Sequence, residues 1–180
     1  MILYVNGDSH TTAAEASNRY IVAGEDPKFL HLGPLPHPEN LAVSWGKLLS
    51  ITLRASFHCG AFSNYDVDTI ISSTEAWLEE KGKVDLIVIQ WPATPSDEGK
   101  IWQFHQKLNN QNIKHIFFNS NQTVSDQFEW GNSYVTDTYE GKLQSANLAT
   151  VTPNSKHFGK DGHSFWNRIL LNHIITNNFI

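Results

Sequence analysis

Apolar residues fall along this chain in short runs separated by longer stretches in which they recur at helical spacing. The runs Ile2–Val5, Ile51–Phe57, Leu86–Ile89 and Ile113–Phe118 read as strands covered on both faces, because a strand with one wet face alternates apolar and polar positions. Between them, Thr11–Val22, Glu39–Leu49, Asp66–Glu80 and Asp97–Asn109 carry helical spacing or capping signals, and Asp66 and Asp97 each suit an N-cap or first turn. Ser164–Leu171 reads as a terminal helix. Strands alternating with helices predict an α/β fold: a flavodoxin-like three-layer α/β/α sandwich around a parallel sheet. A fifth strand, if the sheet has one, falls in Tyr134–Val151, where Gly141 and many polar residues blur the pattern.

Two segments stay outside the alternation. Gly24–Pro38 holds Pro27, Pro34, Pro36 and Pro38, so it cannot be a helix interior; it reads equally as a surface connection or as one wall of a cleft. Asn119–Thr138 is polar but carries Phe128, Trp130 and Tyr134, rings that pack back onto the core or stack on a sugar or a partner.

With 180 residues, 40% of them hydrophobic, the chain has the size and composition of a single domain, residues 1–180, with a sizeable core. No stretch approaches the roughly 18 apolar residues of a membrane span. The opening residues lack the basic start and apolar core of a signal peptide, so the expected location is the cytoplasm and no membrane partner is expected. A net charge of −5 with scattered basic residues argues against nucleic acid as a partner. Nine histidines show no close metal-ligand spacing, so neither a metal nor another cofactor is expected. The single cysteine, Cys59, ends an apolar run and reads as a small buried hydrophobe.

The chemistry lies at the two ends. Gly7-Asp8-Ser9-His10-Thr11 puts a hydroxyl where the first strand would give way to a helix, a place that exposes a side chain at the carboxyl edge of a parallel sheet beside free N–H groups. Near the other end, His157 precedes Gly162-His163 and the terminal helix. A serine needs a base within hydrogen-bond reach to become a nucleophile, and a histidine is the usual one. His10 and His163 compete with His157 for that role: His10 adjoins the serine but points elsewhere, and His163 sits where a helix begins. Asp8 reads as a carboxylate holding turn N–H groups, and Asn64 as a cap for the following helix or a pocket residue.

These blocks resemble the SGNH/GDSL hydrolases, whose first block is a Gly-Asp-Ser turn and whose last is a histidine, a short loop and Gly-His at the terminal helix. Ser44–Leu49 leading to Cys59-Gly60-Ala61-Phe62-Ser63-Asn64 is similar to the family's second block. The resemblance implies Ser9 as nucleophile, His157 as base and an oxyanion hole built from the N–H groups of Ser9 and Gly60. Two positions depart from the family. Asn154 stands three residues before His157, where an aspartate is usual, and is expected to orient the imidazole without neutralising it. Gln90-Trp91-Pro92-Ala93-Thr94 replaces Gly-x-Asn-Asp, leaving Gln90 or Thr94 to supply the third oxyanion donor.

The implied activity is hydrolysis of a small acyl ester through an acyl-enzyme on Ser9, with an O-acetylated carbohydrate as the substrate that polar, aromatic loops favour. An acyltransferase would use the same nucleophile. The alternative is a catalytically degenerate binding or assembly module of the same fold, for which the two departures speak. The Ser9-His10-Thr11 block with Ser44-Trp45-Gly46-Lys47-Leu48-Leu49 also resembles small phage-borne SGNH-like proteins, and a viral source would place the protein in the host cytoplasm.

Overall fold

A computed structural model of the chain describes residues 1–92, 97–124 and 128–180. Its centre is β1 (Ile2–Asn6), whose side chains from Leu3 to Asn6 are all buried. On one side β1 pairs in parallel with β2 (Ser56–Cys59), aligning Val5 with Cys59. On the other it pairs in parallel with β3 (Leu86–Trp91), aligning Val5 with Val88, and β3 pairs with β4 (His115–Asn119). The sheet order is therefore β2-β1-β3-β4, all parallel.

Because side chains alternate across a strand, this sheet builds two cores. Leu3, Val5, Leu86, Val88, Ile116 and Phe118 meet α2 (Trp45–Thr52), α5 (Tyr139–Ser145) and α6 (Lys160–Thr176) through Trp45, Leu49, Tyr139, Leu143, Trp166, Leu170 and Ile174. The opposite set, Tyr4, Ile87, Ile89, Trp91 and Phe117, meets α3 (Val67–Lys81) and α4 (Glu98–Asn110) through Ile70, Ile101, Phe104 and Leu108. The result is the α/β/α sandwich read from the sequence. Each fully buried large side chain contributes about 1.5–3 kcal/mol, so Trp166, Leu170 and Ile174, spaced four apart, fix α6 to the sheet. Among the described residues no helix is long and apolar enough to cross a membrane.

α3 begins as read, since the Asp66 side chain accepts the Thr69 N–H at 2.8 Å; Gly82 closes the helix in a left-handed conformation. Elsewhere the boundaries move. The stretch Glu39–Leu49 is two helices, α1 (Pro38–Ala42) and α2, because the Ser44 side chain caps a new start by accepting the Lys47 N–H. Ile51–Phe57 is not a strand. Its first residues finish α2, with Ile51 exposed, Arg54 turns the chain at φ 51°, and only Ser56–Cys59 joins the sheet as an edge strand. Nor is there a fifth strand among the described residues. Tyr134 makes one bridge to Phe117, after which Tyr139 and Leu143 bury at helical spacing against α6.

Thr11–Val22 departs furthest from expectation. It is a series of turns, with Ala13 and Glu15 both left-handed at φ 56° and 64°, conformations that exclude a helix through them. The proline-rich segment after it forms two short 3-10 turns, Ala23–Glu25 and Leu30–Leu32, before α1. Buried His37 ties it together by donating from Nε2 to Asp26 Oδ2 at 3.1 Å while its Nδ1 accepts the Glu39 N–H.

One consequence of the topology places the site. The chain leaves β1 toward α1 and α2 on one face, whereas β2 reaches β3 through α3 on the other. The loops after β1 and β3 therefore diverge at their carboxyl ends, the position where ligands bind in open parallel sheets.

Candidate active site

At the end of β1, buried Asn6 anchors the strand to α3: its amide donates to Thr74 Oγ1 at 2.8 Å and Ser73 Oγ at 2.9 Å, while its Oδ1 accepts the Gly7 N–H. Gly7 follows at φ 151°. A Cβ there would stand 2.2 Å from Thr11 Oγ1 and 2.8 Å from Gln90 Oε1, so only glycine permits the turn that begins with it. Asp8 then acts as read from the sequence: its Oδ1 accepts the His10 N–H at 2.8 Å, and its carbonyl accepts the N–H groups of Thr11 and Thr12.

This turn presents the Ser9 hydroxyl, and the structure brings His157 to it. His157 Nε2 lies 2.9 Å from Ser9 Oγ across 148 residues of sequence. The histidine is held from both sides of the backbone: its carbonyl accepts the Val151 N–H, and the next residue, Phe158, bridges Thr150 and buries at the start of α6. Its Nδ1 lies 2.8 Å from Glu15 Oε2. A carboxylate accepts, which favours a proton on Nδ1, and in the Nδ1–H tautomer the Nε2 lone pair faces the Ser9 hydroxyl.

Asn154, expected against Nδ1, is exposed on the surface, and Glu15 takes that contact instead. Sequence reasoning missed Glu15 because Thr11–Val22 reads as a helix. The available signal was that Glu15 is the only carboxylate between Asp8 and Glu25.

The expected oxyanion donors part company. The Ser9 N–H has no protein acceptor among the described residues and remains available. The Gly60 N–H does not: it extends the β2 ladder by donating to Val5 O at 2.9 Å. What requires glycine at 60 is Tyr4, whose hydroxyl would lie 2.0 Å from a Cβ. Gln90 is fully buried and holds the Ser9 turn. Its Oε1 accepts the Asp8 N–H at 3.2 Å and the Thr11 hydroxyl at 3.0 Å. Because the Asp8 N–H is an obligate donor, that end of the amide is the oxygen, and Nε2 faces Ser120 Oγ, to which it donates. Thr94 lies outside the described residues.

The other candidates surround the pair without joining it. His10 is 7% exposed, meets the His157 ring edge-on with centroids 5.3 Å apart, and has Nε2 3.4 Å from Glu140 Oε1. His163 is buried beneath, where its Nδ1 accepts the Trp45 N–H; burial first, then the neighbouring His10 and His157, pushes it down to about 3 and keeps it neutral. Asn64 is an exposed left-handed turn residue, and Asp66 supplies the α3 cap expected of it. Desolvation pushes the Cys59 thiol up to about 11, away from thiolate chemistry.

No protein-family model matches the chain, and no curated protein matches it in sequence. Solved structures do. A lipolytic protein of the G-D-S-L family from Desulfitobacterium hafniense superposes with a TM-score of 0.62 at 15% identity, over 96% of this chain and 99% of that one. The fold is that of the SGNH/GDSL hydrolases. Two further SGNH-fold matches are carbohydrate esterases. The family 2 enzyme with a carbohydrate-binding domain from Corynascus thermopiles (Myceliophthora fergusii) has a TM-score of 0.57 at 14% identity, covering 97% of this chain and 65% of that one. The family two enzyme from Clostridium thermocellum, in complex with cellohexaose, has a TM-score of 0.56 at 14% identity, covering 99% and 65%. The chain thus spans about two-thirds of the length of these two esterases.

Proposed function

We propose that this protein is a serine hydrolase that removes a small acyl group, an O-acetyl ester on a carbohydrate, through an acyl-enzyme on Ser9. The observation that carries the reading is the 2.9 Å approach of His157 Nε2 to Ser9 Oγ. In the first step Ser9 Oγ bonds to the acyl carbon as its proton passes to Nε2, and the carbonyl oxygen becomes an oxyanion beside the Ser9 N–H. The tetrahedral species collapses when the bond to the sugar oxygen breaks and that oxygen takes the proton from Nε2. Water then repeats the sequence on the acyl-enzyme, releasing acetate and free Ser9. The carbohydrate part of the reading is supported by the two carbohydrate esterases of the same fold.

Labelling with a fluorophosphonate, mapped by mass spectrometry, tests the nucleophile, and acetate release from acetylated xylan tests the substrate. Ser9→Ala and His157→Ala are expected to lose labelling and to lower hydrolysis by at least about 10³-fold. Ser9→Ala should stay within about 1 kcal/mol of wild-type stability, since one hydrogen bond is lost at a partly open position. Labelling at another residue, or a folded Ser9→Ala that keeps its rate, refutes the assignment.

A second reading has its own support. With the Gly60 N–H and the Gln90 amide both engaged, the oxyanion position keeps one of its expected donors among the described residues, and loss of one such donor costs about 10²–10³ in rate. A degenerate member of the fold would bind the acetylated carbohydrate without turning it over. Calorimetric binding to unlabelled, inert wild type would favour it.

A further inference from the structure

We propose that Glu15, on the nucleophile's own loop, is the positioning residue for His157 and supplies the negative charge that the family pattern would take from an aspartate at position 154. The inference rests on the Ser9–His157 reading above. Glu15 Oε2 accepts from His157 Nδ1 at 2.8 Å and also from Ser155 Oγ at 3.2 Å, and Ser155 Oγ in turn accepts the His157 N–H at 3.0 Å. One carboxylate oxygen therefore fixes both the ring and the backbone of the base. As the Ser9 proton reaches Nε2 the ring becomes a cation, and the carboxylate faces it from the opposite nitrogen. The Nδ1 proton stays on the ring throughout, so Glu15 acts by orientation and charge alone.

Two features of the loop argue that this placement is built. Ala13 and Glu15 both hold a left-handed backbone that costs a non-glycine residue energy, and strained residues persist where surrounding contacts over-determine them. The contact that over-determines these lies just beyond. Asn40, fully buried, accepts the N–H groups of Ser17 and Asn18 on Oδ1 at 2.9 and 2.6 Å and donates from Nδ2 to Tyr20 O at 2.8 Å. The loop is thus clamped immediately after Glu15, and the clamp turns its carboxylate back toward His157. Asn154 is exposed on the adjoining loop and has no part in this network.

The test compares Glu15→Gln, Glu15→Asp, Asn154→Ala and Asn154→Asp with wild type. Three quantities are read: the fluorophosphonate labelling rate at Ser9, kcat and KM on 4-nitrophenyl acetate, and the downfield Nδ1 proton resonance of His157 in 15N-labelled protein. Glu15→Gln should slow labelling and kcat by about 10²–10⁴-fold with KM within about threefold; the equivalent aspartate-to-asparagine change in a serine protease costs about 10⁴. It should also abolish the deshielded Nδ1 proton, and Glu15→Asp should restore part of both. Each Asn154 variant should stay within about twofold and keep the resonance. Glu15→Gln with wild-type rates, or with the resonance intact, overturns the proposal, as does a large loss in Asn154→Ala. Should wild type fail to label at all, the hydrolase reading falls, and the resonance and its response to Glu15→Gln still decide the pairing.

Discussion

Replacing Gln90 with methionine separates two roles that position 90 could have. Methionine has nearly the shape of glutamine but neither accepts nor donates strongly, so Gln90→Met strands the groups that the amide now serves. The Thr11 hydroxyl is fully buried and loses its acceptor. The Asp8 N–H, partly buried, loses its own at 3.2 Å. Ser120 fares better, because its hydroxyl can still reach Trp91 O at 3.4 Å. A stranded buried donor costs about 1–3 kcal/mol, so Thr11 and the less buried Asp8 together predict a loss of about 2–4 kcal/mol. Urea unfolding at 25 °C with a common slope measures it.

Adding Thr11→Val to Gln90→Met removes the stranded hydroxyl and should return about 1 kcal/mol, a coupling that appears as non-additivity in the double-mutant cycle. Ser9 labelling should slow at the same time, because the turn that aims the hydroxyl has lost its clamp. A protein of unchanged stability whose labelling nonetheless falls by about 10²–10³ would show the opposite arrangement, with Gln90 donating to the oxyanion, and would refute the clamp.

Two other perturbations follow from the same geometry. Gly60→Ala drives a methyl group into Tyr4, a buried ring stacked on Trp77, and should destabilise the protein by about 1–3 kcal/mol in urea; an unchanged midpoint would mean that the ring gives way freely. Acidification should weaken the fold well above the carboxylate range. Burial pushes His115 from 6.5 down to about 4 and His163 down to about 3, so between pH 6.5 and about 4 the unfolded chain binds protons that the folded chain refuses. Their contribution is complete above pH 6.5 and fades as the pH falls through that window. Urea midpoints at pH 7 and pH 4.5 check it, and equal midpoints would be the contrary result.

Much of the fold was legible because its strands are buried on both faces. Ile2–Val5 and Leu86–Ile89 read as apolar runs for that physical reason, and α3 announces itself through Asp66. Ile51–Phe57 misled for a related one: an apolar run does not distinguish the last turn of a helix plus an edge strand from one continuous strand. Ser9 stands out at a strand end, whereas His157 is separated from His10 and His163 only by the resemblance of the last block, and the structure sets the two side chains 2.9 Å apart.

Glu15 could not be found that way, and the reason lies in the competition between local and tertiary preference. Thr11-Thr12-Ala13-Ala14-Glu15-Ala16 contains good helix formers, and in isolation the stretch favours the helix that the sequence predicts. A helix starting at Ser9 would carry Glu15 about 9 Å along its axis, at a rise of about 1.5 Å per residue, away from the sheet edge where His157 waits. The left-handed turns at Ala13 and Glu15 fold the chain back instead, and buried Asn40 holds them there. Local propensity is overridden at the place where the carboxylate must meet the imidazole. The same override makes the loop testable without any substrate: Asn40→Ala removes the clamp but touches neither Ser9 nor His157, so it should free the loop, weaken the His157 Nδ1 resonance and leave the sheet intact. If that resonance were unchanged in folded Asn40→Ala, the turn residues alone would be sufficient to hold Glu15, and the clamp would be a structural contact with no bearing on the base.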